Sequence, residues 1–283
     1  MDLIEIKNIL ITADKNQIRY VDTARDYGRS EEILGTVLRQ SKSKIKVLTK
    51  LSSFANQPDN CSKKLINKLV LESVSKSKFL LGRPLDCLML HRAKHFCAFG
   101  GELWTALLSL RDTGHFNDLG VSVQTPVELE TLLSEPEIKF FQIPFNILDW
   151  RWGHLVEQIM EEKRKRTLFI HARSSLLQGL LASEDVDLWS NANCSTPLLY
   201  IEGLKRIAEK KGITSVVNLC LAYVRSQEWI DGVVVGTETD SQLRQNIQFF
   251  SERELTPNQL QEISGRLPKL DDRTLNPANW KSG

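Results

Sequence analysis

This sequence of 283 residues contains no apolar run near the roughly 20 residues that a membrane-spanning helix needs. It opens with no charged-then-apolar stretch of the secretory kind. Together these lead us to expect a cytoplasmic protein. There is no C-x-x-C pair and no zinc-ligand spacing, and the five cysteines (Cys61, Cys87, Cys97, Cys194, Cys220) are an odd number. A disulfide framework is therefore not expected, and a reducing compartment fits. His95, His115 and His154 have no spacing that would join them in a metal site, and read as surface or loop residues. The missing G-x-G-x-x-G fingerprint argues against a Rossmann domain. A net charge of +2 gives no electrostatic case for nucleic acid or a membrane surface as partner. The one basic run, Lys163-Arg164-Lys165-Arg166, reads as the solvated end of a helix, where cations suit the macrodipole. No long Pro/Gly/Ser linker, low-complexity segment or shift in composition breaks the chain. We therefore read residues 1–283 as a single domain.

What is present is an alternation of short β-rich runs with longer amphipathic ones, the pattern of a parallel α/β fold. Three of the runs end in a residue that can hold or move a proton. Arg19–Ala24 carries Asp22 and leads into Asp26-Tyr27-Gly28, Ile45–Thr49 stops at Lys50, and Leu85–Leu90 stops at His91. As neighbouring parallel strands, these runs would bring Asp22, Lys50 and His91 out at one edge of a sheet, with Tyr27 a short loop away. The four residue types suit the protonation of an alkoxide. A phenol ordinarily releases its proton near pH 10, and an adjacent ammonium favours the phenolate. A carboxylate keeps the ammonium charged and pointed, and an imidazole can hydrogen-bond the substrate oxygen.

Later strands are expected at Asn117–Val121, Phe140–Ile143, Leu168–His171 and Gly232–Val235. Helices are expected at Ser30–Gln40, Lys63–Lys78, Glu102–Thr113, Pro126–Leu133, His154–Lys165, Leu198–Lys211, Thr214–Ser226 and Ser241–Phe249. Only seven core strands can be counted from Tyr20 onward, and Asp2–Lys15 ahead of them reads as a helix. The segment Ala182–Thr196, with Trp189, reads as a long loop without regular structure, a length typical of lids and binding loops. Trp150 and Trp152 read as packing against the strand ends.

The stretches DTARDYGRSEEILG (22–35), VLTK (47–50) and LMLH (88–91) resemble the aldo-keto reductase family. The resemblance runs from Tyr20 to the end, and implies a TIM-type (β/α)8 barrel with its active site at the C-terminal rim of the strands. The usual N-terminal hairpin and first strand, with a Gly-rich turn facing the cofactor, are not expected in this sequence. It also implies an oxidoreductase that reduces an aldehyde or ketone by hydride transfer from NADP(H) or NAD(H). In that scheme Tyr27 is the general acid, Lys50 and Asp22 tune it, and His91 orients the carbonyl. The implied cofactor contacts are Ser122 and Gln142 on the nicotinamide carboxamide and Arg173 at the nicotinamide ring or a phosphate. Gly236, Thr237, Gln242, Gln245 and Asn246 would contact the adenosine end.

Two departures stand out. Val123 replaces the amide-bearing residue usual after the serine. Glu238 stands where NADP-specific relatives usually carry a basic residue, and Arg244 leaves the choice of dinucleotide open. The run from Arg173 to Leu181 resembles a branch associated with bacterial surface-polysaccharide genes. The alternative implied by the same family is a dinucleotide-binding regulator with impaired turnover, as in the potassium-channel beta subunits of this fold. A small-molecule carbonyl is the expected partner, and a homo-oligomer stays open.

Overall fold

The computed structural model describes residues 3–54, 57–58 and 60–281. The elements follow in order: α1 (Leu3–Lys15), β1 (Tyr20–Asp22), α2 (Ser30–Arg39), β2 (Lys46–Lys50), α3 (Lys63–Leu81), β3 (Leu85–Leu90), α4 (Glu102–Asp112), β4 (Phe116–Ser122), α5 (Pro126–Leu132) and β5 (Ile138–Pro144). Then come α6 (Val156–Lys165), β6 (Phe169–Arg173), α7 (Val186–Asn191), α8 (Pro197–Lys211), α9 (Val216–Arg225), β7 (Gly232–Val233), α10 (Asp240–Ser251), α11 (Pro257–Ser264) and α12 (Asp272–Leu275). This βα alternation with seven strands is that of a TIM-type (β/α)8 barrel, and no strand precedes Tyr20 among the described residues. Met1 and Asp2 of the expected first helix lie outside the described residues.

The chain divides into two compact units. The first holds residues up to Gln142 with 166–168 and 236–245; the second holds the remainder. In the first unit β1 to β5 pair in chain order, all parallel. Register places Asp22 beside Leu48, Lys50 beside Met89, Leu90 beside Val121, and Ser122 beside Gln142. Because the strands run the same way, these residues leave the sheet at its C-terminal edge. Val47, Leu48, Leu88, Met89, Leu119 and Val121 are buried on the strands, alternating between the two faces of the sheet, and Ile66, Val70 and Val74 of α3 and Leu103 and Leu107 of α4 are buried on the helices.

Helix boundaries follow local chemistry. Ser62 caps α3 by accepting the Leu65 N–H, and Gly82 ends it in the left-handed region at φ 66°. Thr125 and Glu128 form a capping box ahead of α5, with Pro126 at its first turn. Gly35, in the same motif as Tyr27, has a different reason to be glycine. A Cβ there would lie 2.0 Å from the Leu80 carbonyl oxygen and 2.7 Å from Leu81 Cα, so the absent side chain lets α2 approach α3. Backbone atoms cannot rotate away as a side-chain tip can. Gly35→Ala is expected to cost about 3 kcal/mol or more, read as a fall in the urea midpoint at unchanged slope.

In the second unit β6 pairs parallel with β7, His171 beside Gly232 and Ala172 beside Val233. Two expectations are corrected here. The segment expected to be an unstructured loop contains α7, capped by Asp185, whose carboxylate accepts the Asp187 and Leu188 N–H groups. Trp189 on that helix is fully buried and stacks on Tyr200 at 5.9 Å, so the segment is packed rather than lid-like. The helix expected from His154 instead begins at Val156, after a 3-10 turn over Trp150–Leu155 led by the Asp149 side chain. Trp152 is buried and donates to Asp149, while Trp150 is half exposed and donates to the Leu270 carbonyl.

The basic run is also less solvated than expected. Lys163 binds Asp231 at 2.6 Å and the Trp229 carbonyl at 3.0 Å in the second unit. Arg166 donates to the carbonyls of Ile138 and Leu133 in the first. All five cysteines are free thiols, and burial pushes Cys220 up to about 12. No described helix is long and apolar enough to cross a membrane.

Candidate active site

The motif 22–35 is held together by its own polar side chains. Thr23 and Ser30 share a hydroxyl hydrogen bond of 2.8 Å, closing the turn that carries Tyr27. Glu31 is buried, accepts the Thr49 hydroxyl at 2.6 Å, and pairs with Arg25. That carboxylate fastens α2 to β2, and so fixes the Tyr27 loop relative to the strand that ends in Lys50.

Lys50 is 1% exposed, an unusual burial for a lysine. Its ammonium donates to Asp22 Oδ2 at 2.7 Å and to the Thr23 carbonyl at 3.0 Å, and so is charge-matched at the strand ends. The same ammonium lies 5.0 Å from the centre of the Tyr27 ring. His91 stands edge-on to that ring, with centroids 5.9 Å apart. Tyr27 itself is 49% exposed. The four residues expected from the strand pattern are thus brought together in one unit. Burial, followed by the Lys50 charge, holds His91 below its ordinary value, with Asp26 acting in the opposite sense.

Ser122 and Gln142 are buried register partners at the ends of β4 and β5. The Gln142 amide donates to Asp22 Oδ1 at 2.8 Å, so it belongs to the polar group around Lys50. Its amide oxygen remains an acceptor that could meet a carboxamide. Val123 beside Ser122 is buried and apolar. In the second unit, Arg173 is half-buried, with Nη1 3.3 Å from the Ser174 hydroxyl, and its carbonyl accepts the Phe145 N–H. Asn246 also lies in that unit, on α10.

The start of α10 differs from the bare helix end that a phosphate would want. The Asp240 N–H donates to the Glu5 carboxylate of α1, and the Gln242 N–H donates to the Thr239 hydroxyl. Gln242 accepts the Glu238 N–H at 2.7 Å, while Gly236, Gln242 and Gln245 are exposed and Thr237 is half-buried. Arg244 is engaged with Asp240 at 2.7 Å and Thr12 at 2.8 Å. The Thr12 hydroxyl, then Arg244, holds Asp240 below the usual carboxylate range. Glu5 and Asp240 therefore meet at the start of this helix beside Arg244, with Glu238 two residues ahead of Asp240 in the chain.

Sequence reasoning missed Arg25, Glu31 and Asp26 as parts of this assembly, although all three stand inside the motif that was singled out. His95, read as a surface or loop residue, lies in the turn after β3 and is buried there. Burial and the neighbouring Lys94 push it down to about 4. No group of three metal-ligating side chains exists among the described residues.

The chain belongs to the aldo/keto reductase family, whose description matches residues 2–266. It is 24% identical over 279 residues to an uncharacterized oxidoreductase, YqkF, of Bacillus subtilis (strain 168), covering 90% of this chain and 85% of that one. The holo form of the aldo-keto reductase AKR11C1 from Bacillus halodurans superposes with a TM-score of 0.74 at 22% identity, covering 95% of this chain and 89% of that chain. The glycerol dehydrogenase AKR11B4 from Gluconobacter oxydans superposes with a TM-score of 0.70 at 21% identity, covering 94% and 86%. At these identities the structural likeness carries the fold, and the family match carries the oxidoreductase class.

Proposed function

We propose that this protein reduces an aldehyde or ketone to the alcohol with a nicotinamide dinucleotide, within one catalytic domain over residues 1–283. The observation that carries the reading is the buried Lys50 ammonium, paired to Asp22 at 2.7 Å and set 5.0 Å from the Tyr27 ring. When bound, the dinucleotide supplies the hydride that reaches the carbonyl carbon. Tyr27 gives its hydroxyl proton to the carbonyl oxygen as charge develops there. Lys50 stabilises the phenolate left behind, and Asp22, itself held by Gln142, keeps that ammonium in place. His91 donates a hydrogen bond to the same oxygen and orients it.

Ser122 and the amide oxygen of Gln142 would hold the carboxamide, with Arg173 at the ring or a phosphate. Gly236, Thr237, Gln242, Gln245 and Asn246 would meet the adenosine end. Glu5, Glu238 and Asp240 favour the ribose diol of NAD(H) over the extra phosphate of NADP(H). The likeness to a surface-polysaccharide-linked branch rests on the Arg173–Leu181 run alone. Five free thiols suit a reducing, cytoplasmic setting.

A fluorescence titration with NADH and NADPH, followed by turnover on a panel of aldehydes and ketones, tests the reading. We expect saturable binding that favours NADH, and turnover of at least one carbonyl. No binding of either dinucleotide would sink it. Binding without any turnover would favour the regulatory alternative, for which the apolar Val123 beside Ser122 speaks.

A further inference from the structure

We infer that Asp26 is a positioning residue for His91, holding one imidazole nitrogen so that the other presents a proton to the substrate oxygen. This rests on the reduction proposed above, and the geometry behind it belongs to this chain. Asp26 directly precedes Tyr27 in the turn after β1. Its Oδ2 accepts the Ser53 backbone N–H at 3.1 Å and stands 3.4 Å from His91 Nδ1. That nitrogen is shut off from solvent and meets no hydrogen bond of good geometry. The Asp26 carboxylate is the acid that faces it. A separation of 3.4 Å is long for a hydrogen bond, and contacts of this kind often shorten when substrate arrives.

The consequence follows from proton bookkeeping on the ring. A nitrogen facing a carboxylate carries the proton, so a neutral His91 would have Nδ1–H and a bare Nε2. A bare Nε2 is an acceptor and cannot hydrogen-bond a carbonyl oxygen, which is also an acceptor. Donation to substrate therefore requires the second proton, an imidazolium bridging Asp26 and the carbonyl. The charged groups around His91 decide how readily that cation forms. Lys50 from β2, Arg92 next in the chain and burial oppose it, and Asp26 favours it. His95, held neutral, lies in the turn that follows. Removing the Asp26 charge should cost His91 its proton at a lower pH, and leave less of the donating form at neutrality.

Asp26→Asn separates this role from a structural one, because asparagine still offers an oxygen to the Ser53 N–H. The decisive measurement is long-range proton–nitrogen NMR of histidine-labelled protein, free of ligand, from pH 5 to 8. His91 would be assigned by the signals lost in His91→Gln. In the unsubstituted protein the neutral ring should carry its proton on Nδ1. In Asp26→Asn the His91 midpoint should fall by about 0.5–1 unit. Above that midpoint, kcat/KM should fall by the matching factor, about 3- to 10-fold, with the declining limb of its pH profile moved equally toward acid. A neutral His91 protonated on Nε2 in the unsubstituted protein would overturn the inference, whether or not Asp26→Asn folds. So would an unmoved midpoint in a folded variant. Absence of any carbonyl reduction would defeat the proposed function, while the ligand-free titration would still decide whether Asp26 governs the His91 proton.

Discussion

Replacing Lys50 by methionine is expected to lower kcat/KM at pH 7 by about 10²–10⁴-fold, while dinucleotide affinity stays within a few-fold. Lys50 is 1% exposed, and its ammonium binds Asp22 and the Thr23 carbonyl and lies 5.0 Å from the centre of the Tyr27 ring, the position from which the proposed mechanism has its charge act on the phenol. Methionine keeps the stem's apolar packing and removes the charge together with its hydrogen bonds to Asp22 and the Thr23 carbonyl. Asp22 retains its Gln142 donor and some solvent exposure, so water can reach the carboxylate left behind. The loss should therefore appear mainly in kcat and not in the binding of the dinucleotide. Steady-state kinetics beside a binding titration read both quantities. Full activity in Lys50→Met would remove the ammonium from the mechanism.

The second large effect is expected from Tyr27→Phe, which deletes one oxygen from a residue that is half exposed. Stability should change by less than about 0.5 kcal/mol, because no packing is lost. Turnover should fall about 10²–10⁴-fold, because no other phenol stands beside Lys50 and His91 in the described site. Combining the two substitutions should cost little more than the worse of them alone, since residues that act as one unit are not additive. Independent, multiplying losses in the double variant would mean that Lys50 and Tyr27 serve separate steps. Equal turnover in Tyr27→Phe and the unsubstituted protein would exclude the phenol as the acid.

Much of this arrangement is legible in the chain. Asp22, Lys50 and His91 each end a short apolar run, and parallel pairing in register turns that one-dimensional pattern into a shared edge. The capping box of α5 and the prolines that open α5 and α8 likewise announce where those helices begin. Motif matching marked Glu31 and Gly35 as part of a signature without saying why. Only the packed structure shows one fastening α2 to β2 and the other admitting the α3 backbone. Helix α7 escaped notice because six residues are too few to display a helical period, and its anchor Trp189 finds Tyr200 only after folding.

By itself, then, the sequence determined the alternation of elements, the family, the three residues at the strand ends and the tyrosine in the turn after the first strand. These depend on local periodicity and on which side chain terminates each strand, and both are written within a few positions of one another. The tertiary structure alone decided that Gln142 supports Asp22 from 120 positions away, and that Glu5 fills the first turn of a helix 235 positions later. It also decided that Asp26 faces a buried nitrogen of His91. Hydrogen bonds between distant segments depend on which donors and acceptors the fold brings within reach of one another, and no local pattern encodes that choice.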